Sequence, residues 1–390
     1  MSRTTPRTDG GTEDDPERSV TPLELFFDLV FVFAFTQVSS LLAHDLTWTG
    51  FASGAALLAA LWWAWVGYSW LTGAVDAEAV LPVRLVVLTA MAAMLLVALA
   101  VPDAFGDDAL LFAAGYLVVR TLHLVLYAVV AASESRSAVR RVAPGFLGGP
   151  LILVAAAFSD GAVQAGLWLS ALALDYGVVF VRGVEGFRVT VSHFVERHRL
   201  VVIIALGESL VAIGIGADGL PLRAGVVVAA LLGIVLVVAL WWLYFDYVVL
   251  AAERRLARER GDARAALARD SYSYIHLLMV GGVIYVALGI ERTLAHFDEP
   301  LGLLPAVALC GGCALYLFGH NAFRYRDHRT VSVPRLVVAA AVLALIPLAV
   351  RVPSVAALAA VTALFVGLAG YETVRSEHRK RLRAAGTDAG

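Results

Sequence analysis

Of the 390 residues, 60% are hydrophobic and only 16% charged, which leaves too few polar side chains to clothe a soluble globule of this size. Two cysteines cannot make a disulfide framework. The net charge is −2, and the basic residues, all arginine except Lys380, reflect composition and not a nucleic-acid site.

Residues 1–20 are polar, with Pro6, Gly10, Gly11 and Pro16 and no apolar core of a secretory leader, so they are expected to form a disordered cytoplasmic tail. Apolar blocks of roughly 17 to 25 residues follow, the helical length that crosses a hydrocarbon layer about 30 Å thick. They predict an all-α, polytopic membrane bundle of about twelve helices: 23–43, 50–72, 81–101, 109–132, 142–158, 162–182, 199–217, 223–250, 271–291, 301–319, 334–350 and 353–373. In that arrangement 26 of the 30 basic residues fall on the side of the two termini. Arg223, Arg292 and Arg351 fall on the other side, and Arg120 lies inside a span. Basic residues stay inside, so both termini are expected in the cytoplasm, with a basic tail at 374–390.

Two connections invite a membrane-surface reading. Segment 183–198 places Phe187, Val191, Phe194 and Val195 at helical spacing, as an interfacial linker helix would. Segment 251–270 is basic and helix-compatible, suited to anionic headgroups or to extending the preceding helix. An internal repeat is expected as well. AALWWAWVGYSWL (59–71) resembles VALWWLYFDYVVL (238–250), and the distances Asp28 to Trp62 and Glu208 to Trp241 differ by one residue. The chain then divides into six-helix halves, 21–182 and 199–373, related by an axis along the membrane normal. The Trp-rich runs Trp62/Trp63/Trp65/Trp70 and Trp241/Trp242 are expected to be interface anchors.

Ionisable groups within spans are costly and face partners or a polar path. Glu24 and Asp28 share one helical face. Glu208, followed by Ser209 and flanked by Gly207, Gly214 and Gly216, suits a helix that breaks or approaches another closely, as transport sites do. These four polar residues, Asp28, Glu208, Ser209 and Glu24, are the candidate lining of an ion or substrate path. Arg120 demands a carboxylate, for which Asp175, Asp28 and Glu208 compete, and His123 shares its face. His276 and His320, the latter matching His123 in the other half, complete the candidate charge partners. His193 and His198 are five apart and do not share a metal-facing edge. Cys310-Gly-Gly-Cys313 reads as small-residue helix packing rather than redox chemistry. No nucleotide or hydrolase motif stands in a strand–helix context, so no catalytic residue, metal or cofactor is expected.

VTPLELFFDLVFVFAFTQVSSLL (20–42) and HFVERHRLVVIIALGESLVAIG (193–214) resemble the two signature segments of the bacterial low-temperature-requirement A (LtrA) family. The matching positions are Glu24, Phe27, Asp28 and Gln37, then His193, Glu196, His198, Gly207, Glu208 and Ser209, with Ser40 standing where family members often carry His. The resemblance implies a bacterial inner-membrane protein linked by name to growth in the cold, and brings no settled substrate or reaction. Phe26-Phe27-Asp28 is also loosely similar to the F-x-D element of two-repeat endolysosomal potassium channels, although Gly207-Glu208-Ser209 stands in its place in the second half. The expectation is a transporter or channel for a small ion or solute, whose partners are the bilayer and that solute. A membrane enzyme acting on lipid and a non-catalytic scaffold or sensor are the alternatives.

Overall fold

The computed structural model describes residues 19–74, 78, 80–130, 133–246 and 248–387. All but the last two residues of the expected N-terminal tail lie outside them. The regular elements among the described residues are helices: α1 Pro22–His44, α2 Trp48–Ala74, α3 Leu81–Leu99, α4 Ala109–Val130, α5 Ser133–Ala156, α6 Gly161–Arg182, α7 Val191–Ala217 and α8 Ala224–Phe245. There follow α9 Val248–Arg258, α10 Gly261–Leu267, a π-helical stretch Ala268–Ile275, α11 His276–Ala295, α12 Leu303–His328, α13 Val333–Ala344, α14 Ile346–Ala349 and α15 Ser354–Thr387. Eleven helices among the described residues are long and apolar enough to cross a membrane, and α13 with α14 forms a shorter twelfth apolar element. The expected polytopic bundle is therefore what forms. The segment read as a C-terminal tail continues α15 as far as Thr387.

Local chemistry explains where the first helix begins. Thr21-Pro-Leu-Glu24 is a capping box with proline at the first helical position. The Thr21 amide donates to Glu24 Oε2 at 2.9 Å and the Glu24 amide to Thr21 Oγ1 at 3.4 Å, satisfying donors that the helix end leaves orphaned.

Helix α1 packs on α2 and α3, α3 on α4, α4 on α5 and α5 on α6, while α7 packs on α8 and α11, α11 on α12, α12 on α13 and α13 on α15. Helix α1 also lies directly against α7 and α11. Glycines bring α11 and α12 together: a Cβ on Gly282 would stand 2.6 Å from the Gly312 carbonyl oxygen. Cys310 and Cys313 are buried and free on that same helix, which is the packing role expected of the motif.

Two expectations about the surface are corrected. Residues 183–190 form a loop, with Gly183 and Gly186 at positive φ, and His193 to His198 lie in the first turns of α7, where His193, Phe194, Val195, Arg197 and His198 are buried against the bundle rather than on a separate surface helix. Trp62, Trp63, Trp65 and Trp70 are also buried, so they are core residues, whereas Trp241 and Trp242 are exposed. Segment 251–270 folds into α9 and α10, which press Leu256, Ala265 and Leu267 onto the bundle.

Candidate functional site

Helices α1 and α7 run parallel along a common seam, because successive contacts advance along both chains together. Near the end of the bundle that carries the basic loops, Glu24 Oε1 lies 2.8 Å from His193 Nε2. One turn deeper, Arg197 Nη2 donates to Asp28 Oδ1 at 2.8 Å, and Nη1 lies 3.4 Å from Glu24 Oε1. Glu24/Asp28 and His193/Arg197 are both spaced four apart, so one face of each helix carries two rungs of complementary charge. From α2, Trp65 Nε1 donates to Asp28 Oδ1 at 2.9 Å. All four members of the ladder are buried. Within the described residues, Asp28 Oδ2, His193 Nδ1 and Arg197 Nε are buried without a hydrogen-bond partner in the protein.

Beside the ladder is an aromatic and imidazole cluster. His198 donates from Nδ1 to the Phe194 carbonyl at 2.8 Å, which leaves its Nε2 as the acceptor nitrogen, and that atom is buried and unpartnered. Its ring is 5.4 Å from that of His276 and 4.9 Å from that of Trp65. His276 donates from Nδ1 to the Ser271 carbonyl at 2.9 Å, so its Nε2 accepts the Tyr244 hydroxyl at 2.9 Å. In the π-helical stretch the Ser273 carbonyl takes the Trp62 Nε1 proton at 2.7 Å, while Ser273 Oγ takes that of Trp70 at 2.9 Å. Tryptophans that read as anchors in the sequence thus tie α2 to the π-helical stretch that leads into α11.

A second polar station lies farther along the seam. Thr36 Oγ1 donates to Glu208 Oε2 at 2.6 Å, and Ser39 and Glu291 lie close to the same carboxylate. Ser209 Oγ is buried without a protein partner. Glu208 follows Arg197 by eleven residues, about 16 Å along a helix, so it does not share a level with Asp28 as the repeat spacing suggested. Phe31, Phe35, Val201, Val202 and Ala205 fill the interval, all buried. Helix α7 is unbroken at Glu208: Gly207 has open space where a side chain would go, and the close approach is at Gly216, against the Glu291 carbonyl.

The remaining candidates form separate structures. Of the three carboxylates competing for Arg120, Asp175 takes it: Nη2 reaches Oδ1 at 3.3 Å, and Tyr116 donates to Oδ2 at 3.2 Å. The Arg120 guanidinium also lies over the Phe146 ring, 4.3 Å from its centroid. With His123 and Trp63 it borders a small, mostly apolar cavity of about 40 Å³. His320 accepts from Arg335 at 2.7 Å, and its ring lies 5.9 Å from that of Tyr244, which joins it to the His276 end of the imidazole cluster. No group of three or more metal-ligating side chains occurs among the described residues. Arg197 was missed in the sequence, although its spacing from His193, matching that of Glu24 and Asp28, carried the signal.

No solved structure matches this chain. A relative from Rhizobium meliloti (strain 1021), an uncharacterized protein, is 33% identical over 313 residues, covering 76% of this chain and 75% of its own. The family model described as bacterial low temperature requirement A protein matches residues 19–370. With both signature segments built into one seam, and the match running almost end to end, the chain belongs to the LtrA family.

Proposed function

We propose that the protein moves a small ion or solute across the bacterial inner membrane, along the seam between α1 and α7, with its termini in the cytoplasm. The observation that carries this reading is the set of buried polar atoms along that seam with no protein partner, Asp28 Oδ2, Arg197 Nε, His193 Nδ1 and Ser209 Oγ. Buried polar groups are costly when unmatched, and those retained at membrane depth serve pathways and relays. Glu24, Asp28, His193 and Arg197 form the inner station, Thr36, Ser39, Glu208 and Ser209 the outer one, and the phenylalanines between them the barrier of a closed state. Two parallel six-helix halves, meeting at α1 and α7, give such a path its central position. Arg120 and Asp175 fasten α4 to α6 outside it. The lipid-enzyme alternative loses support because the inner acids and histidine are buried away from lipid.

The test is ion and proton flux in proteoliposomes under imposed pH and K⁺ gradients, native protein against Asp28→Asn and Glu208→Gln at matched reconstitution. Native flux that disappears in either variant supports the path. Flux unchanged in both, with folded protein, sinks it.

A further inference from the structure

A pocket of about 240 Å³ opens at the basic end of the bundle, among the ends of α8, α12, α13 and α15, away from the α1–α7 seam. Its depth is polar. Arg335 is forked onto Glu372, Nε to Oε1 at 2.8 Å and Nη2 to Oε2 at 2.7 Å, so both are committed to each other. Asp327 is different. Ser271 donates to its Oδ1, while Oδ2 is buried with no protein partner, on a side chain only 5% exposed that lines the pocket. An ionised or hydrogen-bonding oxygen left so is a site for a donor.

The opposite charge is supplied nearer the mouth. Arg324 and Arg375 line the pocket, with His328 beside them, and Asp246 lies on the same wall. Arg324 Nε donates to Thr330 Oγ1 at 3.0 Å, and Arg375 Nη1 to the Tyr371 hydroxyl at 3.0 Å. Helix α13 starts within the lining, and its N-cap, Ser332, makes no side-chain capping bond. The first turn offers the Val333 and Arg335 amides, Pro334 having none, and a helix N-terminus with arginines in the same lining suits a phosphate. Three arginines balance three carboxylates. A simple anion would meet Asp327, and a simple cation would meet the arginines.

One ligand class satisfies both ends, a phosphate ester carrying a primary amine. We infer that this pocket binds a phosphoethanolamine group, its ammonium on Asp327 and its phosphate between Arg324, Arg375 and the start of α13. The rim identifies the source as a membrane lipid: Trp242, Val331, Val333 and Tyr371 line it with exposed apolar faces, where acyl chains would continue out of the pocket.

The experiment is native mass spectrometry of the delipidated full-length protein, offered phosphatidylethanolamine, phosphatidylcholine and phosphatidylglycerol in equal amounts. Phosphatidylcholine is the critical comparison, since its quaternary ammonium has no N–H for Asp327. Retention of the ethanolamine lipid over both others by about tenfold is expected, the size of one charge-assisted hydrogen bond. Asp327→Asn should erase that preference, and Arg324→Gln should weaken ethanolamine and choline lipids alike. Displacement by soluble O-phosphoethanolamine would keep the chemistry and make the physiological ligand a free metabolite, whereas its failure to displace supports the lipid. Equal retention of the three lipids overturns the inference. So does a native preference that persists in Asp327→Asn, or, should that variant not fold, retention of the ethanolamine and choline lipids that Arg324→Gln leaves at the native level.

Discussion

Arg197 reaches across the seam to Asp28 at 2.8 Å while standing 3.4 Å from Glu24, so one guanidinium neutralises two carboxylates that belong to a different helix. Removing it takes the guanidinium from both buried acids, leaving Asp28 the Trp65 N–H and Glu24 the His193 ring and its capping bonds. Arg197→Gln is expected to destabilise the detergent-solubilised protein by about 3 kcal/mol or more, read as a fall in melting temperature. Combining it with Asp28→Asn should recover part of the loss, because the two sites share one interaction. Additive losses would show that the pair is not coupled.

On the path proposed above, the barrier between the stations is ring volume. Phe31 and Phe35 are fully buried on the seam, and cutting Phe35 to alanine opens space next to Thr36. Phe35→Ala is expected to raise proton or cation leak in proteoliposomes several-fold, the reverse of Glu208→Gln. A leak no larger than that of empty liposomes would place the barrier elsewhere.

Close approach of α11 and α12 depends on the absence of a side chain at Gly282, where the opposing atoms are backbone. Gly282→Ala should cost about 1–3 kcal/mol by overpacking. Gly207→Ala, on a helix and with no atom within 4 Å of the added carbon, should leave the melting temperature unchanged or raise it slightly. Equal behaviour of the two variants would contradict the packing described.

Trp62 donates across from α2 to the Ser273 carbonyl of the π-helical stretch. Trp62→Phe keeps most of the ring and removes that buried bond, at a cost of about 1–3 kcal/mol. Increased hydrogen exchange over residues 268–276 is the signature that separates loss of this bond from general loosening.

The bundle was legible in the sequence because apolar block length and arginine placement are one-dimensional signals. Glu24, Asp28 and Glu208 could be singled out for the same reason, as charges inside apolar runs. Their partners could not be settled so directly. Arg120 had three rivals on equal terms until packing put Asp175 beside it. The burial of Trp65 depends on Asp28 as an acceptor from another helix, which no run of residues in α2 reveals. The first turns of α7 look amphipathic on their own and become buried once α1 supplies the matching charges.

Helix α13 has 12 residues and α14 adds four after the single-residue interruption at Leu345. Together they reach about 25 Å, short of a hydrocarbon layer about 30 Å thick. Lipid touching this corner must compress, or headgroups must sink towards the protein, at a fraction of a kcal/mol per ångström. The start of α13 is also the mouth of the pocket holding Asp327. Hydrophobic mismatch therefore sets the depth at which headgroups stand there, and membrane thickness becomes a variable to which this part of the protein is mechanically coupled.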